Sequence, residues 1–600
     1  MLVCVLPVLL CTPGVAGNQG AGGPAVAPVK AVTMPAALAP ADGDLLVYIR
    51  LRAPQDVLNQ LGEWVGMFQP GMNAEALTGT LQMMGLDLSQ LRAGGNAAAF
   101  LWFKSPSGQE QQQPAAGGGS PSLALLIPAS PESQLAKTLA ERKPTLAQGT
   151  VAGDLLLAKD QASLALAQQS AKELAKLNSA PLAEDVQAYV NVDGLMKLFG
   201  PMAHGFAGMA GAKVGQAKVP GQTDEQAAQM QRIVKGEVDA FFRVIDQVDR
   251  VTLLDDVEAN HLELSTVVQA KPGSKLAALL TGGPSTAPDL SSCLAPGYVM
   301  GMQLSVPDTA GLIEVYEGMI KRMYPPDQPE GLQQILNAMD GWKQIKSLDY
   351  AFAMYSGNQG KMRFNGVMRT SSQDQAETLL KLMRESPKIM EAGAFGALSM
   401  GVKYHAQVHQ GVRQLDGHAV DRYEMSIELP EGFPKQQSQI MKRMYGDTMV
   451  CEAVRLGRSV LVAVNEPVDA LYRRFENPPA GAGLAAMKEF EPGAAFYADV
   501  DVARYVELVG SMISDTGRAA PTLPKIIGPP LTIAGYHQDG RGWYRLRVPR
   551  ELVANAVQEI QKFRQQKALE QQQEKQQGQE GGEQEGRPAE PPAKVTPVAR

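Results

Sequence analysis

The sequence predicts an α+β protein built from two similar halves, each made of antiparallel sheets with helices packed on one face. Three observations lead to this prediction. The second half repeats the order of elements found in the first, strands come in pairs joined by short turns, and helices interrupt the strands without the strict alternation of a parallel fold. At 600 residues the chain is too long for a single core, which favours several domains.

Short matches keep the same order in both halves and predict an internal duplication. They pair 38–40 with 294–296, 96–100 with 349–352, 138–139 with 378–379, Gly153 with Gly457, and 188–193 with 496–501. The offset between matched residues changes strongly at two places, between 100 and 138 and between 139 and 153 of the first half. These changes predict one insertion in each half, a Gln- and Gly-rich loop at 105–120 and a longer segment at 385–447.

The first 17 residues predict a secretory signal. The apolar run at 1–10 is too short to cross a bilayer, and small residues with a cleavage point after Gly17 follow it. A buried N-terminal strand is the alternative, because no Lys or Arg precedes the run. Residues 18–37 are mostly Gly, Ala, Pro and Val with few polar side chains, which predicts a flexible lead-in. We therefore expect an exported protein, either periplasmic or extracellular.

The first half is expected at 38–283, in units of about 38–180 and 181–283. Alternation predicts a strand from Asp44, and helical spacing predicts helices over 54–68 and 75–84. Strands at Phe100 and 123–127 precede a helix that Ser130 begins. A strand at Tyr189, a short helix at 195–199, a long amphipathic helix at 224–247, a hairpin of 251–257 with 261–268 and a helix at 274–280 complete it.

The second half is expected at 290–563, in units of about 290–477 and 488–563. Its closing hairpin joins 531–537 to 543–548 through Asp539-Gly540, a dipeptide typical of tight turns, and a helix over 550–563 follows. From 564 to 600 the chain is rich in Gln, Glu, Gly and Pro and has almost no large apolar side chain. That composition predicts a disordered tail.

The sequence offers little support for chemistry. A net charge of −7 without a cluster of basic and aromatic residues argues against nucleic-acid binding. No nucleophile elbow, zinc-protease, phosphate-loop, dinucleotide or CxxC motif occurs. His405 and His409 would lie ~13 Å apart on a strand, too far to share a metal ion. We predict no catalytic, cofactor-binding or metal-binding residues and no cofactor; a hydrolase with an unrecognised site between the halves is the alternative.

Two pairs of residues invite structural interpretations. Cys293 and Cys451 would be the cysteines left after removal of the signal, and an exported protein could join them in a disulfide. Two separate buried thiols fit equally well, so both options stay open. Asp193 and Asp501 each follow a strand at matching places in the two halves, and we expect them to cap the helices that come next.

Two segments rich in small residues are candidates for ligand contact. The segments are 199–212 and 513–530, and Met side chains adapt readily to irregular apolar partners. The functional interpretation is a groove or flap that meets a lipid, a peptide or the membrane interface, and the alternative is a loop folded over the core. The candidate residues are Phe199, Met202, Phe206, Met209 and Ile513.

The opening of each half, Leu38 to Ile49 and Leu294 to Leu304, resembles a group of uncharacterised exported bacterial proteins known only as domains of unknown function. The resemblance implies export and a duplicated α+β fold, and it brings no catalytic residues. We therefore predict an envelope protein of the non-enzymatic binding or scaffold class. Its partner is expected to be an unknown protein or a hydrophobic ligand, with peripheral contact to a membrane.

Overall fold

A computed structural model describes the chain at residues 45–69, 71–83, 86–103, 121–180, 182–216, 224–281, 285–324, 329–357, 361–391, 402–429, 438–439, 441–442, 444, 446–513 and 523–584. The predicted signal at 1–17, the lead-in at 18–37 and the loop at 105–120 lie outside the described residues.

Strands and helices alternate irregularly along both halves. The N-terminal half contains β1 (Leu45–Leu51), α1 (Pro54–Phe68), α2 (Ala74–Met83), β2 (Ala97–Trp102), β3 (Ser122–Ile127), α3 (Gln134–Arg142), β4 (Ala147–Val151), β5 (Asp154–Ala158), α4 (Gln161–Gln169), α5 (Ala171–Ser179), β6 (Val186–Asn191), α6 (Val192–Gln216), α7 (Asp224–Ile245), β7 (Val248–Val257), β8 (His261–Ala270) and α8 (Lys275–Leu279).

The C-terminal half contains β9 (Met300–Val306), α9 (Thr309–Met323), α10 (Pro329–Trp342), β10 (Leu348–Ser356), β11 (Met362–Thr370), α11 (Gln373–Glu391), β12 (Lys403–Leu415), β13 (His418–Glu428), β14 (Thr448–Leu456), β15 (Ser459–Val464), α12 (Asp469–Glu476), α13 (Ala486–Glu489), β16 (Phe496–Val500), α14 (Val502–Ile513), β17 (Leu531–Gln538), β18 (Arg541–Pro549) and α15 (Arg550–Gln584).

The described strands form one large antiparallel sheet, so the predicted α+β class is confirmed. The strand order is β4-β5-β3-β2-β1-β6-β7-β8-β18-β17-β16-β9-β10-β11-β15-β14-β13-β12. The prediction of separate sheets for the two halves is wrong. The last strand of each half, β8 and β18, pair with each other and join the halves edge to edge.

Helices cover both faces of this sheet, and the prediction that they cover one face is wrong. In β5, Leu156 packs with residues of α4 and α5, whereas its neighbours Leu155 and Leu157 pack with α3 on the other side. Every residue of β5 is buried. A strand that is apolar on both faces needs a cover on each, because alternate side chains point to opposite faces.

Two helices run further than the sequence predicted. In α6, which includes Pro201, the helix continues through the whole segment 199–212, for which the sequence suggested either a groove or flap or a loop folded over the core. Contact with α7, where the rings of His204 and Phe242 lie 4.3 Å apart, helps to offset the weak helix propensity of Gly and Pro. Likewise α15 reaches Gln584, so the predicted tail is helical from 564 to 584. Gln, Glu and Lys are good helix formers, and residues 585–600 lie outside the described part.

The two candidate cap residues behave differently. The Asp501 carboxylate accepts a hydrogen bond of 3.0 Å from the backbone N–H of Arg504 and so caps α14. At α6 the cap is Asn191, whose side chain accepts from the Gly194 N–H at 2.8 Å. Asp193 instead forms ion pairs with lysines 197 and 271, so its predicted capping role is wrong.

Replacing Asp501 by alanine is expected to lower the free energy of unfolding by about 1 kcal/mol, because the first turn of α14 loses its cap. Urea denaturation of the full chain measures the change. Asp193→Ala is the matched control, since it removes only solvent-accessible ion pairs and should have the smaller effect. An Asp501→Ala protein as stable as the unsubstituted chain would contradict the assignment.

Candidate hydrophobic binding site

One side of the N-terminal half of the sheet carries an apolar surface that the helices leave partly uncovered. Strand register places its side chains in two cross-strand rows. The first row is Leu123, Leu101, Val47, Val190, Val251 and Val268, and the second is Leu125, Ala99, Ile49, Ala188, Leu253 and Thr266. We call these two rows the open face.

The centre of the open face is exposed to solvent. Ile49 is 42% exposed, Leu125 is 39% and Leu253 is 37%. On the opposite side of the same strands, Tyr48 and Phe100 are at most 1% exposed. Burying one Leu or Ile side chain fully contributes roughly 1.5–3 kcal/mol, so an apolar partner on this surface would gain binding free energy.

Helices border the open face on three sides. Leu157, the cross-strand neighbour of Leu125, is buried beneath α3. The indole N–H of Trp64 in α1 donates to the carbonyl of Glu258, at the turn between β7 and β8. At a third margin the ring of Phe103, which follows β2, lies 5.6 Å from that of Phe199 in α6.

The open face offers few hydrogen-bonding groups. Its backbone N–H and C=O groups lie in central strands, each paired on both sides by the ladders of the sheet, and Thr266 is its polar side chain. In the next row Asp255 lies between Val186 and Leu264, and burial raises the pKa of its carboxyl above the usual value. A ligand on this surface would therefore be held mainly by apolar contact.

Four of the five predicted ligand-contact residues form an exposed stripe on α6. Phe199, Met202, Phe206 and Met209 are 37%, 55%, 60% and 56% exposed, and their spacing of three or four residues places them on one side of the helix. Phe199 connects the stripe to the open face through Phe103. Ile513 is the last residue of α14, and its side chain lies outside the described part.

No disulfide joins Cys293 and Cys451, so the pairing that the sequence left open is not formed. Cys293 is buried in the cluster that includes Ala351 and Leu461. Cys451 packs against the cluster that includes Tyr350 and Val460, on the other face of the sheet. Burial raises the pKa of the Cys293 thiol to about 12, which makes this group unreactive at neutral pH.

A cavity of about 100 Å³ lies beside β9 and β16, and its lining side chains Gln303 and Ser305 already form hydrogen bonds within the chain. The side-chain oxygen of Gln303 accepts hydrogen bonds from the backbone of Leu290 and Ser291, and its amide donates to Pro288. Ser305 donates to Asp349. These polar groups therefore stabilise contacts within the chain.

The histidines at 405, 409 and 418 are not grouped as metal ligands in the described part of the chain. His405 is exposed on β12 and lies 3.1 Å from the carboxylate of Glu428. Over the described ranges, no group of three or more His, Cys, Asp and Glu residues is placed to hold a metal ion. Within the same ranges, no helix is long and apolar enough to cross a membrane.

Sequence reasoning missed the open face, although β1 carried a signal for it. Residues 45–49 of β1 are apolar at every position, which predicts burial on both sides of the strand. The local pattern cannot say whether a helix of the chain covers each side. The open face therefore emerges only when the positions of α1, α3 and α6 are known.

Comparison with protein-family models, with curated proteins and with solved structures finds no match for this chain.

Proposed function

We propose that this chain is an exported, non-enzymatic binding protein made of two copies of one α+β fold. In this proposal the N-terminal copy holds a hydrophobic ligand on its open face. The observation that carries the proposal is the exposure of Ile49 and Leu125, about 40% each, in the middle of a sheet. Soluble proteins rarely leave a contiguous apolar surface in water unless it binds something.

Strand order supports the duplication. The N-terminal order β4-β5-β3-β2-β1-β6-β7-β8 recurs as β14-β15-β11-β10-β9-β16-β17-β18, with β12 and β13 as the inserted hairpin. Register agrees with the sequence match at β6 and β16, whereas at β2 and β10 it matches Leu101, rather than Phe100, to Phe352. Tyr189, paired with Tyr48, matches Tyr497, paired with Gln303. This is the same Tyr pair that the sequence matches at 188–193 and 496–501.

The C-terminal counterpart of the open face is a core. By the matched register, Ala99, Leu101 and Leu125 correspond to Tyr350, Phe352 and Met368, which are 3–4% exposed. They belong to a cluster that includes residues of α9, α10 and α11. The same side of the fold is therefore covered in one copy and open in the other.

A corresponding pair of helices, α10 and α2, shows the same difference in packing between the two copies. In α10, Ile335, Met339 and Trp342 are buried. Its N-terminal counterpart α2 has no buried residue. The N-terminal copy thus keeps an apolar surface without the helix packing that closes it in the C-terminal copy, and a ligand would take the place of that packing.

The binding experiment uses the full chain and cis-parinaric acid, a fluorescent fatty acid, as the apolar probe. We expect saturable binding by the unsubstituted protein. Ile49→Asp and Leu253→Asp should each weaken it at least about tenfold, because a ligand would have to desolvate a carboxylate on this surface. Native mass spectrometry of protein purified from its own compartment should also reveal a bound apolar molecule.

Val412→Asp is the matched control, since Val412 on β12 is 45% exposed but lies at the far edge of the sheet. Its affinity for the probe should equal that of the unsubstituted protein. Thermal unfolding of all variants separates loss of binding from loss of fold. Failure of the unsubstituted protein to bind any apolar probe, or equal binding by Ile49→Asp, would contradict the proposal.

A further inference from the structure

A second apolar surface lies on the helical hairpin of α6 and α7. Besides the α6 stripe, Phe241 is 61% exposed and Val244 is 45% exposed on α7. The stripe points away from α7, because His204, about 200° around α6 from both Met202 and Phe206, is the residue that packs on Phe242. Water-exposed Phe and Met at this density are unfavourable unless a partner covers them.

The hairpin is anchored to the rest of the molecule through α7. A Cβ atom added at Gly236 would lie 2.5 Å from the side chain of Met323 in α9, so the two helices approach closely. The amide of Gln229 donates to the carbonyl of the same Met323. Contacts with α9 therefore hold α7 in place, while the outer side of α6 faces solvent.

The charge pattern of α6 favours a lipid surface over a protein partner. Residues 198–212 contain no Asp, Glu, Lys or Arg on any side of the helix, and Lys197 and Lys213 stand at the two ends of this stretch. Those ends are about 24 Å apart along a helix axis. Because charged side chains are costly to bury in an apolar layer, a helical stretch without them can enter a membrane interface, while long lysine side chains at its ends can reach water.

We propose that the α6–α7 hairpin docks this protein on the surface of a lipid bilayer, with Phe199, Met202, Phe206 and Met209 entering the interface. Docking relies on apolar contact, so neutral lipid suffices. Because Phe199 touches Phe103 at the margin of the open face, docking brings that face to the membrane. The ligand of the open face is then a membrane lipid. This last step rests on the proposed function, whereas docking does not.

Flotation with phosphatidylcholine vesicles tests the docking step on the full chain. The unsubstituted protein should float with the vesicles. The double variant Met202→Ser, Phe206→Ser should partition at least about tenfold less, because two large side chains no longer enter the apolar layer. Leu569→Ser is the matched control, since Leu569 on α15 is 60% exposed, as Phe206 is, and should float unchanged.

Tryptophan fluorescence reports on the surroundings of position 206 directly. The four tryptophans of the chain are all buried, so a Phe206→Trp variant adds one exposed reporter. Its emission should shift to the blue with vesicles and be quenched by lipids brominated on their acyl chains. An unsubstituted protein that stays out of the vesicle fraction would overturn the docking proposal. So would a double variant that floats equally well, or one whose only change is the loss of a dimer.

Ile49→Asp separates the two proposals. If docking and ligand binding are both correct, this variant floats normally but loses the bound fatty acid. If the unsubstituted protein floats and binds no fatty acid, docking stands and both the open-face function and the lipid assignment are overturned. If the protein binds fatty acid without floating, the open-face function stands and docking is overturned.

Discussion

Replacing Glu263 by alanine is expected to lower the free energy of unfolding by about 3–5 kcal/mol, because Arg545 and Arg547 lose the buried carboxylate that they share. The carboxylate of Glu263 receives hydrogen bonds from the guanidinium groups of Arg545 at 2.7 Å and Arg547 at 2.8 Å. The side chains of Glu263 and Arg545 are each 10% exposed. Glu263 lies on β8 and both arginines lie on β18, so these ion pairs link the two halves of the sheet.

Aromatic rings increase the free-energy cost of breaking this cluster of ion pairs. Arg545 lies over the ring of Trp543 at 4.8 Å and Arg547 over that of Phe490 at 4.7 Å. These contacts hold the guanidinium groups in place after the carboxylate is removed, so the charges cannot move freely into water. Chemical denaturation of the full chain measures the loss.

A triple variant tests whether the cost comes from the unpaired charges. Glu263→Leu with Arg545→Met and Arg547→Met removes the whole group and should recover most of the stability that Glu263→Ala loses, since apolar replacements of a buried ion cluster are often neutral. A Glu263→Ala protein within about 1 kcal/mol of the unsubstituted chain would show that the cluster contributes little. Glu491, which also pairs with Arg545, is half-exposed and stays unchanged in both variants.

The cluster also has a pH signature. Burial opposes ionisation of Glu263, but hydrogen bonds and charges from Arg545 and Arg547 outweigh it and hold the pKa of this carboxyl below its usual value. The unfolded chain therefore takes up the proton first. The stabilisation is present above the ordinary pKa of Glu and is lost as the pH falls through the lowered pKa of the folded protein.

Local patterns predicted the elements of this fold better than their arrangement. The helix predicted over 54–68 matches α1, and that predicted over 224–247 matches α7, because apolar spacing and first-turn residues act within one element. Antiparallel pairing also followed from local hairpins. The pairing of β8 with β18 joins strands nearly 280 residues apart, and no local pattern records which edge strands meet.

The candidate site was predicted only in part. Met and Phe among small residues marked Phe199 to Met209 as unusual, and the structure assigns them to an exposed helix stripe. The open face was missed because Val47, Ile49 and Leu101 have the residue types of a core. Whether such residues face a helix or water depends on packing between distant elements, which periodicity does not contain.

Acidification from pH 7 to 4 is expected to destabilise the protein by about 3 kcal/mol through His537 alone. Burial lowers the pKa of His537 from 6.5 to about 4. The folded protein keeps this imidazole neutral while the unfolded chain binds a proton near pH 6.5. The stability contributed by the neutral ring is thus complete above that pH and falls progressively towards pH 4.

The environment of His537 explains why it resists protonation. Among the residues that the structure describes, none forms a hydrogen bond with the buried Nδ1 atom of His537, and Nε2 faces the Tyr544 hydroxyl at 3.4 Å. No carboxylate contributes to its pKa shift, so a charged ring would be left without compensation.

The variant His537→Gln tests this contribution, because it removes the titrating group while keeping a polar side chain. Subtracting its unfolding free energy from that of the unsubstituted protein at each pH isolates the contribution of the ring, because Glu263 and other groups cancel. A difference that stays constant between pH 7 and 4 would mean that the folded protein protonates His537 as readily as the unfolded chain does.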